Sequence, residues 1–173
     1  MSAIDNTPIN RNFLSPLNFK FQIKKAPHVN FFIQKVNIPS LAIPNPQPSN
    51  PFVKTPIPGE HINFGDLQLT FRIDEDLQNY LEIYNWLIAL GKPMNFKQYK
   101  DLQDKPKIAG DGIYSDVSLI ILSSTKMANY ELTFIDAFPV DLSPVVFNTT
   151  DTDVNYVEAT TTFKYTYFTI ANI

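Results

Sequence analysis

The chain has 173 residues with a formal net charge of −3, and 44% of them are hydrophobic, too many for a disordered chain. Cysteine is absent, which excludes a disulfide scaffold, a thiolate metal site and a cysteine nucleophile. The slight acidic excess leaves no basic footprint for tight nucleic-acid binding, and five glycines are too few for phosphate-cradling loops.

In chain order, residues 1–16 are polar, contain Pro8 and Pro16, and read as an arm held loosely unless a partner orders it. This start has neither a basic nor an apolar signal region, and no apolar run approaches a membrane span, so a soluble, non-secreted protein with no stable membrane insertion is expected. Phe19 to Lys24 alternates apolar and polar residues with period two, the pattern of a half-buried strand. Lys25-Ala26-Pro27-His28 reads as a turn and Val29 to Ile38 as a second strand, so the two runs predict a hairpin. Pro39 to Pro58 holds seven of the 14 prolines. Proline cannot donate to a ladder, so this segment is expected to be extended and poor in regular structure. Its Leu41, Ile43, Phe52, Val53 and Ile57 need somewhere to bury, and the segment reads as an arm laid against this chain or a neighbour.

Leu67-Gln68-Leu69-Thr70-Phe71-Arg72-Ile73 alternates without a fault. It leads into Asp74-Glu75-Asp76, where the period changes to three and four through Leu77, Tyr80, Leu81, Tyr84, Leu87 and Ile88. A helix is predicted there, with Asp74 as its N-cap and Gly91-Lys92-Pro93 as its stop. Ile83, Trp86 and Leu90 widen the stripe. Residues 94–115 read as a polar loop. Val117 to Leu122 and Tyr130 to Ile135 predict two strands around a turn, Asp136 to Asp141 a bend, and Tyr156 to Ile170 a long closing strand. Val157, Ala159, Thr161, Phe163, Tyr165 and Tyr167 share one face of it. The elements read along the chain are mainly β with one α-helix and long extended loops, expected as a single domain over residues 1–173.

The chemistry of a catalytic centre is missing from this pattern. His28 and His61 fall in loops without neighbouring ligands. Asp151-Thr152-Asp153 lacks the glycine and closing glutamate of a calcium loop. No nucleophile-elbow sequence occurs, and Trp86, Tyr80 and Tyr84 lie on an amphipathic helix, where aromatics usually fill a core. No enzyme, cofactor or metal is expected. A carbohydrate-binding β-sandwich using exposed aromatics remains as an alternative.

The assembled pattern resembles the tail tube proteins of contractile-tailed bacteriophages. The resemblance is carried by Phe19-Lys20-Phe21-Gln22-Ile23, by Val36-Asn37-Ile38-Pro39 leading to Pro58-Gly59-Glu60, and by Asp66 to Asp76 running into Tyr84-Asn85-Trp86. It closes with Phe138-Pro139-Val140 and Phe163-Lys164-Tyr165. It implies a mainly β fold, an antiparallel β-barrel or sandwich with one flanking α-helix, in a structural virion protein assembled as homo-hexameric rings, stacked into a tube that passes phage DNA without binding it specifically. Its partners would be further copies of itself and the sheath, baseplate and tail-terminator proteins, with assembly in the host cytoplasm. A baseplate tube initiator or tail terminator of the same fold is the alternative role. The resemblance makes Leu67, Leu69, Phe71, Phe163 and Tyr165 candidates for the ring-lining sheet, and Pro44, Pro46, Pro48 and Phe52 candidates for contacts between rings. Six chains at −3 each give about −18 per ring, a sign that favours sliding over gripping a polyanion.

Overall fold

The computed structural model describes residues 12–47, 52–54, 56–91, 96–97, 100, 112–150 and 156–173. Its elements are β1 (Phe19–Ile23), α1 (Pro27–Phe31), β2 (Ile33–Val36), β3 (Leu41–Ala42), β4 (Asn63–Phe64), β5 (Leu67–Arg72), α2 (Gln78–Gly91), β6 (Ser115–Leu122), β7 (Ala128–Leu142), β8 (Glu158–Lys164) and β9 (Tyr167–Asn172). The main strands follow the order β1-β6-β7-β8-β5-β2, with β9 also on β7, and every pairing is antiparallel.

The strand β7 organises this arrangement. Its first part, Tyr130 to Ile135, pairs with β9, and its last part, Phe138 to Leu142, pairs with β8. β8 and β9 therefore run end to end along one edge of β7. The long closing strand read from the sequence is present in two pieces, interrupted at Tyr165 and Thr166. Ser115 pairs with Ala137 and Val117 with Phe134, so β7 carries an extra residue there. Asp136 takes φ 56°, a conformation aspartate tolerates better than most residues. Such a bulge bends and twists its strand. The bend predicted at Asp136 is thus a kink inside a continuous strand, and it carries β7 from one layer, β1-β6-β7-β9, into the other, β7-β8-β5-β2.

The two layers share one core. Phe21, Ile23, Val117, Leu119, Leu132 and Phe134 come from the first layer and Leu67, Leu69, Phe71, Ala159 and Phe163 from the second, all buried. Alternation does the sorting: Leu67, Leu69 and Phe71 are fully buried while Gln68 is exposed.

The predicted hairpin of the first two runs does not form. β1 pairs with β6 and β2 with β5, which puts them at opposite ends of the strand order. The cause is local. Pro27 stands at the start of α1, where its fixed φ suits a helix and its missing N–H costs nothing. The chain makes a helical turn with Val29 buried and crosses over instead of folding back. Asn30 secures the crossing, accepting from Ile23 N–H (2.8 Å) and donating to Ile23 O (3.1 Å).

α2 forms where the periodicity placed it, but with another face inward. Its buried residues are Asn79, Ile83, Trp86 and Ala89, whereas Leu77, Leu81 and Tyr84 are exposed. Trp86 Nε1 donates to Ile113 O (3.0 Å), and its ring meets Phe163 edge-on. Asn79 donates to Arg72 O (2.7 Å). The largest side chain and two buried hydrogen-bonding groups fix the rotation, which a helix apolar on two sides leaves open. The cap also differs from Asp74. Leu77 O accepts the Leu81 N–H (2.9 Å), so Leu77, at φ 58°, holds the cap position, and Asp74 belongs to the preceding turn through its carbonyl bond to Leu77 N–H (3.1 Å).

Candidate assembly surfaces

In its described residues, the proline-rich segment is held by backbone hydrogen bonds between two limbs. β3 pairs with β4 as a separate two-stranded ladder, Leu41 opposite Phe64 and Ala42 opposite Asn63. Beyond it, Gly59 N–H donates to Pro44 O (2.7 Å) and Ile57 N–H to Pro46 O (3.2 Å). Gly65 N–H donates to Ser40 O (2.8 Å) at the base. Pro44 and Pro46 take part through their carbonyls, so their missing donors are not needed there. This cross-limb ladder holds the described parts of the two limbs together. The limbs approach so closely that a Cβ on Gly59 would lie 2.4 Å from Pro44 O.

This hairpin arm carries apolar residues outside the core: Leu41, Ile43, Val53, Ile57 and Ile62 are exposed, and Phe52 is 90% exposed. Pro44 and Pro46 lie in the ladder, while Pro48 falls outside the described residues. The arm is anchored below by aromatics. Phe64 packs edge-on against Tyr165 and Phe168, both of which meet Phe134. Tyr165 OH donates to Gly65 O (2.8 Å), and burial, reinforced by the Asp66 charge, pushes its pKa up to about 12.

The β5–β8 pair forms the second surface. The candidates Leu67, Leu69, Phe71 and Phe163 all point into the core, and Tyr165 sits in the aromatic anchor. The strands are where the sequence reading put them, but the face that they present outward belongs to the alternate residues: Gln68, Thr70, Arg72, Thr160, Thr162 and Lys164. The Thr70 and Thr160 hydroxyls bond across the strands (3.2 Å), and Lys164 pairs with Asp66. Arg72 lies over the Tyr156 ring at 4.2 Å. This is a polar, mixed-charge sheet face, and period-two alternation already contained the signal for it.

The histidines are not assembled into a site. Among the described residues no three of His, Asp and Glu converge on a point where a metal could be held, and no helix is long and apolar enough to cross a membrane. His28 instead links the helices: its Nδ1 lies 2.6 Å from Glu82 Oε1 on α2, and its backbone N–H donates to Glu82 Oε2 (3.2 Å). The hydrogen bond to Glu82, then the Glu82 charge, raises the His28 pKa above 6.5. A raised folded value means that the stabilisation is complete below the unfolded pKa and is lost as pH rises through the folded one. Following the His28 ring proton by NMR should give a midpoint above 6.5, and Glu82→Gln should lower it. An unchanged midpoint in Glu82→Gln would exclude the link.

No family model matches the chain, and no curated protein matches it by sequence. Solved structures do. The anti-feeding prophage cap, described as the tube-terminating cap, is similar over 100% of both chains at 11% identity and TM-score 0.60. A chain of the sheath/tube terminator of an extracellular contractile injection system, PVC, matches over 94% of this chain and 99% of its own at 12% identity and TM-score 0.59. A chain of the PVC sheath–tube complex matches over 100% and 99% at 12% identity and TM-score 0.53. The fold is that of contractile-system tube and tube-terminator proteins. Within that tube fold, the arm is a surface whose exposed apolar composition the described core of one subunit does not account for.

Proposed function

We propose that the chain is a structural subunit of the inner tail tube of a contractile-tailed phage, assembling into stacked hexameric rings that pass DNA. The observation that carries this reading is the arm: a hydrogen-bonded hairpin that holds exposed apolar side chains outside the core offers a contact surface, and another copy is the partner proposed for it. The β7-β8-β5-β2 layer lines the bore with Gln68, Thr70, Thr160 and Thr162 and with Arg72 and Lys164, whose charges are offset by Glu158 and Asp66. Sheath, baseplate and terminator proteins are the further partners, and no catalytic role is assigned. One finding favours a second role. The two terminating structures superpose with TM-scores of 0.60 and 0.59, against 0.53 for the sheath–tube complex. Negative-stain microscopy of the purified protein separates the roles: long hollow filaments identify a tube subunit, and rings that stop at one layer identify a terminator. Protein that stays single-copy at high concentration overturns both.

A further inference from the structure

We propose that the His28–Glu82 contact is a proton-fastened latch: a protonated imidazole holds α1 against α2, and loss of the proton loosens α1, exposing β1 at Ile23 and one wall of the groove beside it. Every contact involved lies within one subunit, so the latch stands apart from the assembly reading. α1 needs outside support. It has five residues, Ala26 at its N-cap, no side-chain hydrogen bond to that cap and no acid in its first turn. Glu82, on α2, supplies the missing group. Its Oε2 accepts the His28 N–H (3.2 Å), one of the donors that a helix start leaves over, and its Oε1 accepts from the His28 ring at Nδ1 (2.6 Å). One carboxylate thus grips the backbone and the side chain of the same residue, and both grips fail together when Glu82 turns away.

What rides on α1 gives the latch its effect. Asn30 accepts from Ile23 N–H and donates to Ile23 O, so it fills the backbone groups of β1 at that residue. Pro27, Asn30 and Phe31 border a groove of about 640 Å³ whose other walls include Leu17, Phe19, Phe21 and Ile33. Phe31 is 85% exposed. Moving α1 off α2 therefore uncovers Ile23 and reshapes the groove in one step, while Val29, buried under α1, opposes the movement and keeps it local. The charges around His28 set the sign. Glu82 faces it from α2, and Asp74 adds a second negative charge from the turn before α2, its buried Oδ1 taking no hydrogen bond among the described residues. The cations nearest in the chain are engaged elsewhere: Lys24 pairs with Asp116 (2.9 Å), and Lys25 reaches the Gly112 and Tyr114 carbonyls over the Trp86 ring. The carboxylates favour protonated His28. With the folded pKa raised, the latch is fastened below the unfolded value and released as pH climbs through the folded one. Neutral imidazole can still donate from Nδ1, but without charge assistance such a bond is about half as strong.

Hydrogen exchange at the Ile23 amide reads the latch, because that N–H is bonded to the Asn30 side chain. Its protection is compared, after correction for the intrinsic rate, with that of an amide inside the β6–β7 ladder. The ratio is expected to fall about two- to fivefold as pH rises through the His28 ring titration, the span of an exposed ion pair, and the two midpoints should coincide. Glu82→Gln keeps a carbonyl acceptor of the same shape without the charge, and should flatten the profile at the weaker, high-pH level. His28→Asn should be flat as well. Asn30→Ala should abolish Ile23 protection at every pH. A parent profile that is flat across the His28 titration would overturn the latch. So would a pH-dependent fall that persists in Glu82→Gln, or Ile23 protection that survives Asn30→Ala.

Discussion

Phe71→Asp is expected to leave no folded protein. Phe71 is fully buried between Ile33 on β2 and Ala159 on β8 and contributes to a core shared by both layers. Removing a buried phenylalanine costs about 3–5 kcal/mol, and an unpaired carboxylate in its place adds several more. Against a total stability on the order of 5–15 kcal/mol, the sum leaves nothing. Leu69→Asp should behave alike. Gln68→Asp is the control, one residue away on the exposed face, and should melt within a few degrees of the parent. The measurement is a circular-dichroism melt of whatever soluble protein is recovered. A cooperative transition in Phe71→Asp near that of Gln68→Asp would mean that the faces of β5 are reversed.

That pair of variants also marks what was legible in advance. The faces of β5 and β8 follow from alternation alone, because a period of two leaves only one way to bury Leu67, Leu69 and Phe71 together. Which strands become neighbours is another matter. β1 meets β6 across about a hundred residues of chain, and nothing in Phe19 to Ile23 prefers Leu119 to Val36. The hairpin expectation followed the rule that consecutive strands are usually adjacent, and Pro27 defeated it by starting a helical turn. The rotation of α2 was hidden for a related reason. Leu81 and Tyr84 compete with Ile83 and Trp86, and the decision lies with Asn79 and Trp86 hydrogen bonds to distant carbonyls. Asn30, which closes the Ile23 edge, carries no sequence signal at all.

Replacing residues 43–62 by Asn-Gly should separate folding from assembly. Ala42 and Asn63 are directly opposed, so a two-residue Asn-Gly turn, which suits the twist of antiparallel strands, can join them without disturbing β3 or β4. The core below is untouched, and the Phe64, Tyr165 and Phe168 anchor stays, so the melting temperature should remain within a few degrees of the parent. What is lost is the apolar load of Ile43, Phe52, Val53, Ile57 and Ile62. Each large apolar side chain moved from water into a contact contributes roughly 1.5–3 kcal/mol, so together they amount to on the order of 10 kcal/mol per copy, comparable to the cost of immobilising one copy on another. Sedimentation velocity should therefore show the arm-deleted protein as a discrete small species where the parent forms large assemblies. If only stacking depends on the arm, single rings will survive. Full-length filaments from the deleted chain would show that the arm is dispensable for assembly.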